Sequence, residues 1–214
     1  MSIDRKRIMA VVFALTIFVT FASRVRGQQT SALRTQTPAV IKYDGDMAFM
    51  LAHLTEIFGV TIGFEIDPQQ PKPQVRFYLR DPTLPDVLNA IVRSAPRYQW
   101  RESDGFIEVL PLEGSSPLLD TIISNFRLNN VDETEAINHL LKLPEVQAGL
   151  RAMSLHPGDP GNAPAEKKGE KFSLSLENVT MRQALDRVAK ENGARFWIFR
   201  RNGNGSFWIS NSPR

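Results

Sequence analysis

Three histidines are the residues that would most readily handle a proton or a metal ion, and they stand at positions 53, 139 and 156. None has a partner at ligand spacing. There is no H-E-x-x-H and no histidine pair at i and i+4, so the pattern gives no metal site. On a helical phase His53 falls off the Met50, Leu54, Ile57 stripe, and His139 falls beside the Ile137, Leu140, Leu141 stripe, so both are expected to face solvent. The densest carboxylates are Asp44 with Asp46, and Asp132 with Glu133 and Glu135. As a functional pair they would be general acids or cation ligands. Each set lies at the start of an apolar helical pattern, however, where carboxylates bond free N–H groups and complement the helix dipole. No G-x-S-x-G nucleophile turn and no phosphate loop occurs, and the chain has no cysteine for a disulfide, a thiolate or a lipid anchor. No catalytic, cofactor-binding or metal residue is expected, and the protein reads as a non-enzyme.

One surface motif stands out near the C-terminus. Arg195, Arg200 and Arg201 interleave with Phe196, Trp197, Phe199, Phe207 and Trp208. Basic residues among aromatics can stack on single-stranded nucleic acid. A terminal hairpin also produces this alternation when one face enters the core, and arginine and tryptophan are common in protein interfaces. The expected partner-binding set is Arg195, Trp197, Arg200, Arg201 and Trp208, for a protein partner and not a nucleic acid.

The elements that must position these residues follow from periodicity. Val40 to Tyr43 predicts a strand, and Asp46 caps a helix carrying Met47, Met50, Leu51, Leu54, Ile57 and Phe58, with Gly59 at its end. Thr61 to Ile66 is β-branched and aromatic, the prolines at 68, 71 and 73 force a loop, and Val75, Phe77 and Leu79 alternate as a strand does. Thr83 caps a second helix with Leu84, Val87, Leu88 and Ile91. Tyr98 to Glu102 and Phe106 to Leu110 flank Ser103-Asp104-Gly105 as a hairpin. The order is β-α-β-β-α-β-β.

An offset of 97 residues repeats much of this. Val75, Phe77 and Leu79 fall on Phe172, Leu174 and Leu176, and Thr83 falls on Thr180, which forms a capping box with Gln183. After a one-residue slip Tyr98 meets Phe196, and Asn202 to Gly205 takes the hairpin turn. Upstream, Ile122 to Leu128 predicts a strand, Glu133 to Leu143 a helix begun at Asp132, and Leu150 to Leu155 a weaker strand. The expected fold is α+β: two tandem modules, each a small sheet with two helices packed on one face. The first module spans 39–113, a linker 114–117, and the second 118–211, with a disordered loop at 156–171.

Ile41-Lys42-Tyr43-Asp44-Gly45-Asp46, the helix Met47 to Phe58, Gly59 and the strand Thr61 to Glu65 are similar to the opening of the secretin and TonB receptor short N-terminal domain. The run from Phe172 to Asp186, then Gly193 and an aromatic strand pair, resembles the same domain and the periplasmic N-modules of secretins. The resemblance implies small bacterial envelope modules that dock onto neighbouring subunits or signalling proteins without doing chemistry. Because no barrel or secretin core follows before Arg214, it carries over the fold and the docking habit and not a pore.

The N-terminus gives an address. Arg5, Lys6 and Arg7 precede fifteen uncharged residues from Ile8 to Ala22, too few for a comfortable span and suited to a secretory signal over residues 1–27, cleaved before Gln28. Residues 28–38 are a polar lead-in. Arg24 and Arg26 favour the alternative, a retained inner-membrane anchor. The whole chain of 214 residues carries 26 basic and 23 acidic side chains; without residues 1–27 these become 21 and 22. The net charge changes from +3 to −1, so no excess of cations is left for nucleic acid. The sequence therefore predicts a periplasmic protein-interaction module, an accessory or adaptor of an envelope assembly. Two alternatives are a ligand-binding or hydrolytic protein with a site between the modules, and a membrane-tethered structural component.

Overall fold

The computed structural model describes residues 38–158 and 170–210, all within the unit Thr35–Arg214. The predicted export segment, nearly all of the predicted lead-in, most of the predicted loop and the final four residues lie outside them. In chain order the elements are β1 Val40–Asp46, α1 Met47–Phe58, β2 Thr61–Glu65, β3 Gln74–Arg80, α2 Leu84–Ser94, β4 Tyr98–Ser103 and β5 Phe106–Pro111. A 3-10 turn at Pro117–Asp120 leads to β6 Ile122–Val131, α3 Glu133–Leu141, α4 Pro144–Ala152 and β7 His156–Pro157. β8 Phe172–Thr180, α5 Met181–Glu191, β9 Phe196–Arg201 and β10 Ser206–Ser210 follow. The fold is α+β. No helix among the described residues is long and apolar enough to cross a membrane.

The helix starts agree with the sequence. Asp46 accepts from the Ala48 N–H at 2.7 Å, and Thr83, Asp132 and Thr180 each form a reciprocal capping box with Asp86, Glu135 and Gln183. Gly59 ends α1 with φ 66°, a left-handed conformation that favours glycine.

The sheets depart from expectation. Strands of both halves join in one six-stranded sheet ordered β4-β5-β2-β9-β10-β7, flanked by two antiparallel ribbons, β1-β3 and β6-β8. The join is the parallel pairing of β2 with β9, from Ile62↔Phe196 to Glu65↔Phe199. The expectation of a separate small sheet for each half, with helices on one face, is thus corrected. The cause is legible in burial: all five residues of β2 and the first four of β9 are buried, so neither strand can stand at an edge with one face in water. Ile62, Phe64, Ile107, Val109, Phe196 and Ile198 enter a core with α1 and α2. Trp197, Phe199 and Phe207 enter a second core on the opposite face, with α3, α4 and α5. The shared sheet is therefore a wall between two cores.

A second correction concerns Leu150 to Leu155, predicted as a strand. Leu150 belongs to α4, which Pro144 opens at a position where a missing N–H costs nothing. Val146 and Leu150, four apart, are its buried residues. Gly149 lets α4 approach closely, since a Cβ there would lie 3.2 Å from both Leu118 and Thr121.

At the join, a Cβ on Gly63 would lie 2.4 Å from the Trp197 ring. With Trp197 wholly buried, the ring has nowhere to go. Gly63→Val is expected to lower the unfolding free energy by about 3 kcal/mol through overpacking. Urea unfolding followed by tryptophan fluorescence checks this, and an unchanged midpoint would contradict the packing described.

Candidate functional site

The junction between the two halves collects charge where the sequence pattern reads as core. Glu65 on β2 and Glu108 on β5 project to the face covered by α5, whose Arg182 and Asp186 lie four residues apart and point back at the sheet. All four are at most 3% exposed. Glu65 is held by three donors. Its Oε2 accepts from the Ser115 hydroxyl at 2.7 Å and from Arg182 Nη2 at 2.9 Å, and its Oε1 accepts from the Ser116 N–H. Arg182 Nη2 also lies 3.3 Å from Ser115 Oγ, while its Nε is buried 3.9 Å from Asp120 without a hydrogen bond. Glu65 therefore gathers β2, the 114–117 connection and α5 around one carboxylate. Such burial is tolerable only because the charges are paired and bonded.

The second half of the cluster is a carboxylate row. Nε and Nη2 of Arg101 both reach Glu108 Oε2 at 2.6 Å from β4. Trp197 Nε1 donates to Asp186 Oδ1 at 2.7 Å. Burial pushes the Asp186 carboxyl up to about 7; the Trp197 hydrogen bond opposes this, the Glu108 charge adds to it, and Arg182 and Arg187 oppose it. Arg187 in turn lies over the Phe106 ring, 4.9 Å from its centroid.

The five residues expected to bind a partner do not share one surface. Trp197 is the correction: it is fully buried, because β9, though paired with β10 in the last hairpin, is also bonded to β2 and is covered on both faces. Arg195 is exposed and donates through Nη1 to the Gly59 carbonyl at 2.7 Å, completing the C-terminus of α1. Arg200 donates to the Pro71 carbonyl at 3.1 Å and lies 5.7 Å from the Trp208 ring centroid, opposite which it sits in the ladder. Arg201 is half-buried and projects to the other face of β9. Arg195 and Arg200 thus tie the last hairpin to the first half of the chain. Arg200, Arg201 and Trp208 keep part of their surface open.

The remaining candidates have structural partners. His53 lies 3.3 Å from Glu56, both exposed, and His139 is exposed in the last turn of α3. His156 is exposed in β7. Asp44 pairs with Arg76 at 2.7 Å, and Glu133 accepts from Asn192 at 2.8 Å. Among the described residues no group of three or more histidine, aspartate or glutamate side chains is placed to hold a metal ion. The open groove at Arg127, Leu128, Asn129, Ser173, Leu174 and Ser175 lies beside the irregular pairing of β6 and β8.

Sequence reasoning passed over the buried cluster. The available signal was a glutamate at an inward position within each of two apolar runs, Thr61 to Ile66 and Phe106 to Pro111, matched by Arg182 and Asp186 at helical spacing. No family model matches the chain, and no curated protein matches it.

Two outcomes follow from the cluster. Arg182→Met leaves Glu65 buried without its cation and is expected to cost about 3 kcal/mol or more, whereas adding Glu65→Gln, which removes the charge and keeps an acceptor for Ser115 and Ser116, recovers part of that loss. Chemical denaturation of the single and double variants checks it. Asp186, raised from an ordinary 3.8 to about 7, stabilises the fold most below pH 4, and that contribution is lost as pH rises toward 7. Subtracting the melting profile of Asp186→Asn, which keeps the acceptor for Trp197, isolates this slope. Its limit is about 1.4 kcal/mol per pH unit. A difference profile that is flat from pH 4 to 7 would contradict it.

Proposed function

We propose that the chain is an exported, non-enzymatic docking protein of the bacterial envelope, built of two copies of one module resembling the short N-terminal domain of secretins and TonB receptors. One observation carries the reading. The central sheet uses the same three-strand order twice, β4-β5-β2 and then β9-β10-β7, and the two copies meet edge to edge where β2 pairs with β9. In each copy an antiparallel hairpin carries a third strand parallel to its second member. Three details at an offset of 97 support duplication. Asp81 and Asn178 both take a left-handed φ, of 45° and 53°. Thr83 and Thr180 both form capping boxes. Trp100 donates to Asn89 at 3.0 Å as Trp197 donates to Asp186 at 2.7 Å.

A module whose two copies already recognise each other along a sheet edge is suited to recognise other proteins the same way. The space between the copies is filled by Trp197, Glu65, Glu108, Arg182 and Asp186, which argues for adhesion there and against a substrate cleft. The basic and then apolar pattern of residues 1–27 supports an export signal and with it a periplasmic address, and the near-neutral remainder suits a protein partner.

Periplasmic fractionation with N-terminal sequencing is expected to return a chain starting at Gln28. Crosslinking in intact cells is expected to give a discrete larger adduct containing a second envelope protein. Recovery in the cytoplasm, or as monomer alone at every crosslinker length, would sink the proposal.

A further inference from the structure

β4 closes one end of the six-stranded sheet, bonded to β5 on one side and to no strand on the other among the described residues. Its register with β5 runs from Tyr98↔Pro111 to Ser103↔Phe106, and the Leu112 N–H donates to the Arg97 carbonyl at 2.8 Å. Bonded and non-bonded pairs alternate in an antiparallel ladder, so Gln99, Arg101 and Ser103 face β5 with their backbone groups. The N–H and C=O of Trp100 and Glu102 point away from the sheet. The Tyr98 N–H is taken by the Ala95 carbonyl at 3.0 Å, which leaves its C=O in the outward row.

β9 shows the same row occupied. The Ile62 N–H donates to the Arg195 carbonyl and the Ile66 N–H to the Phe199 carbonyl, both at 2.9 Å, so Arg195, Trp197 and Phe199 turn their backbone groups toward β2. These three stand 97 residues after Tyr98, Trp100 and Glu102, so the structure aligns these two strands without the one-residue slip expected from Tyr98 and Phe196. The tryptophans correspond in side-chain bonding as well, each donating to the residue eleven positions earlier on the preceding helix. In β9 the indole lies across the neighbouring strand, over Gly63, and admits no side chain there. β4 carries the matching tryptophan and the matching backbone row.

The geometry points to β4 as a docking edge for a partner strand that runs parallel to it and carries a glycine facing Trp100, in the image of β2. This rests on the docking reading and narrows it to one edge and one kind of segment. The residues flanking that glycine would fall on the other face, beside Gln99 and Arg101, which are exposed and polar. The segment is therefore amphipathic, small on the α2 face and polar on the opposite one, and differs there from β2, whose Ile62 and Phe64 enter the core.

The probe is a capped peptide copying residues 60–67 with Ile62→Thr, Phe64→Thr and Glu65→Ser, the last to keep the α2 face small and free of charge opposite Glu102, added to the chain that starts at Gln28. Two-dimensional amide NMR is expected to show saturable shifts centred on Trp100 and Glu102, with slowed exchange of those two amides. A peptide that also carries Gly63→Val is expected to bind at least about tenfold more weakly, since a Cβ does not fit beneath the ring. In the protein, Glu102→Pro removes an outward donor without touching the β4-β5 ladder and is expected to abolish the shifts. No shift at saturating peptide, equal binding of the valine peptide, or shifts mapping to another edge would overturn the assignment. Photo-crosslinkers at Lys42 and Ser175, on the two ribbons, separate the two levels of the argument. An envelope adduct from either position with β4 unshifted by the peptide overturns the β4 assignment and leaves the docking reading standing.

Discussion

Trp197 can occupy the middle of the sheet only because the neighbouring strand has no side chain at position 63. That one vacancy lets an indole lie flat across the join of β2 and β9, and the rest of the molecule is arranged around it. With the ring in place, β9 is buried on both faces and two cores share a single wall. The indole N–H then needs an acceptor in a place water does not reach, and Asp186 supplies it from α5. The presence of a carboxylate there raises the question of its charge, which burial answers by favouring the protonated form.

The acids and bases around the junction differ in role from the same residue types outside it. Asp44 with Arg76 and Arg127 with Glu177 are pairs in water, where the gain is small. Glu65 with Arg182 is a buried pair whose dissociation would strand a charge, so its contribution lies in geometry: only one placement of α5 and of residues 114–117 satisfies all of its bonds. The charged cluster makes the docking of the two halves specific, and the apolar residues around it make it strong.

Local order was readable from the sequence, and the way the pieces meet was not. Caps at Asp46, Thr83, Asp132 and Thr180 and the hairpin at Ser103 to Gly105 rest on neighbouring residues, where periodicity and turn chemistry act directly. The strand expected at Leu150 reflects Gly149, which weakens the helical signal inside α4, although Pro144 stands at a favourable helix start and Val146 and Leu150 bury one face. The joining of β2 to β9 depends on residues more than 130 positions apart, and periodicity carries no information about that. Composition held a partial clue: the Thr61 to Ile66 and Phe196 to Phe199 runs lack the polar alternation of half-exposed strands, as central parallel strands do. Arg195, Arg200 and Arg201 imply alternation across a water-facing sheet, a pattern that hides the burial of Trp197 between them.

The parallel pairing of β2 with β9 also sets the order in which the molecule can be completed. A ribosome delivers β2 long before β9, and until the later strand arrives the earlier one has a bare edge and an uncompensated Glu65. Everything up to β5 must therefore wait, with its own helices packed on one face only, for α5 to close the other. Long-range parallel contacts of this kind are slow to form because the intervening chain must first be ordered. An uncovered strand edge is open to pairing with other chains, and β9 is the strand that covers β2.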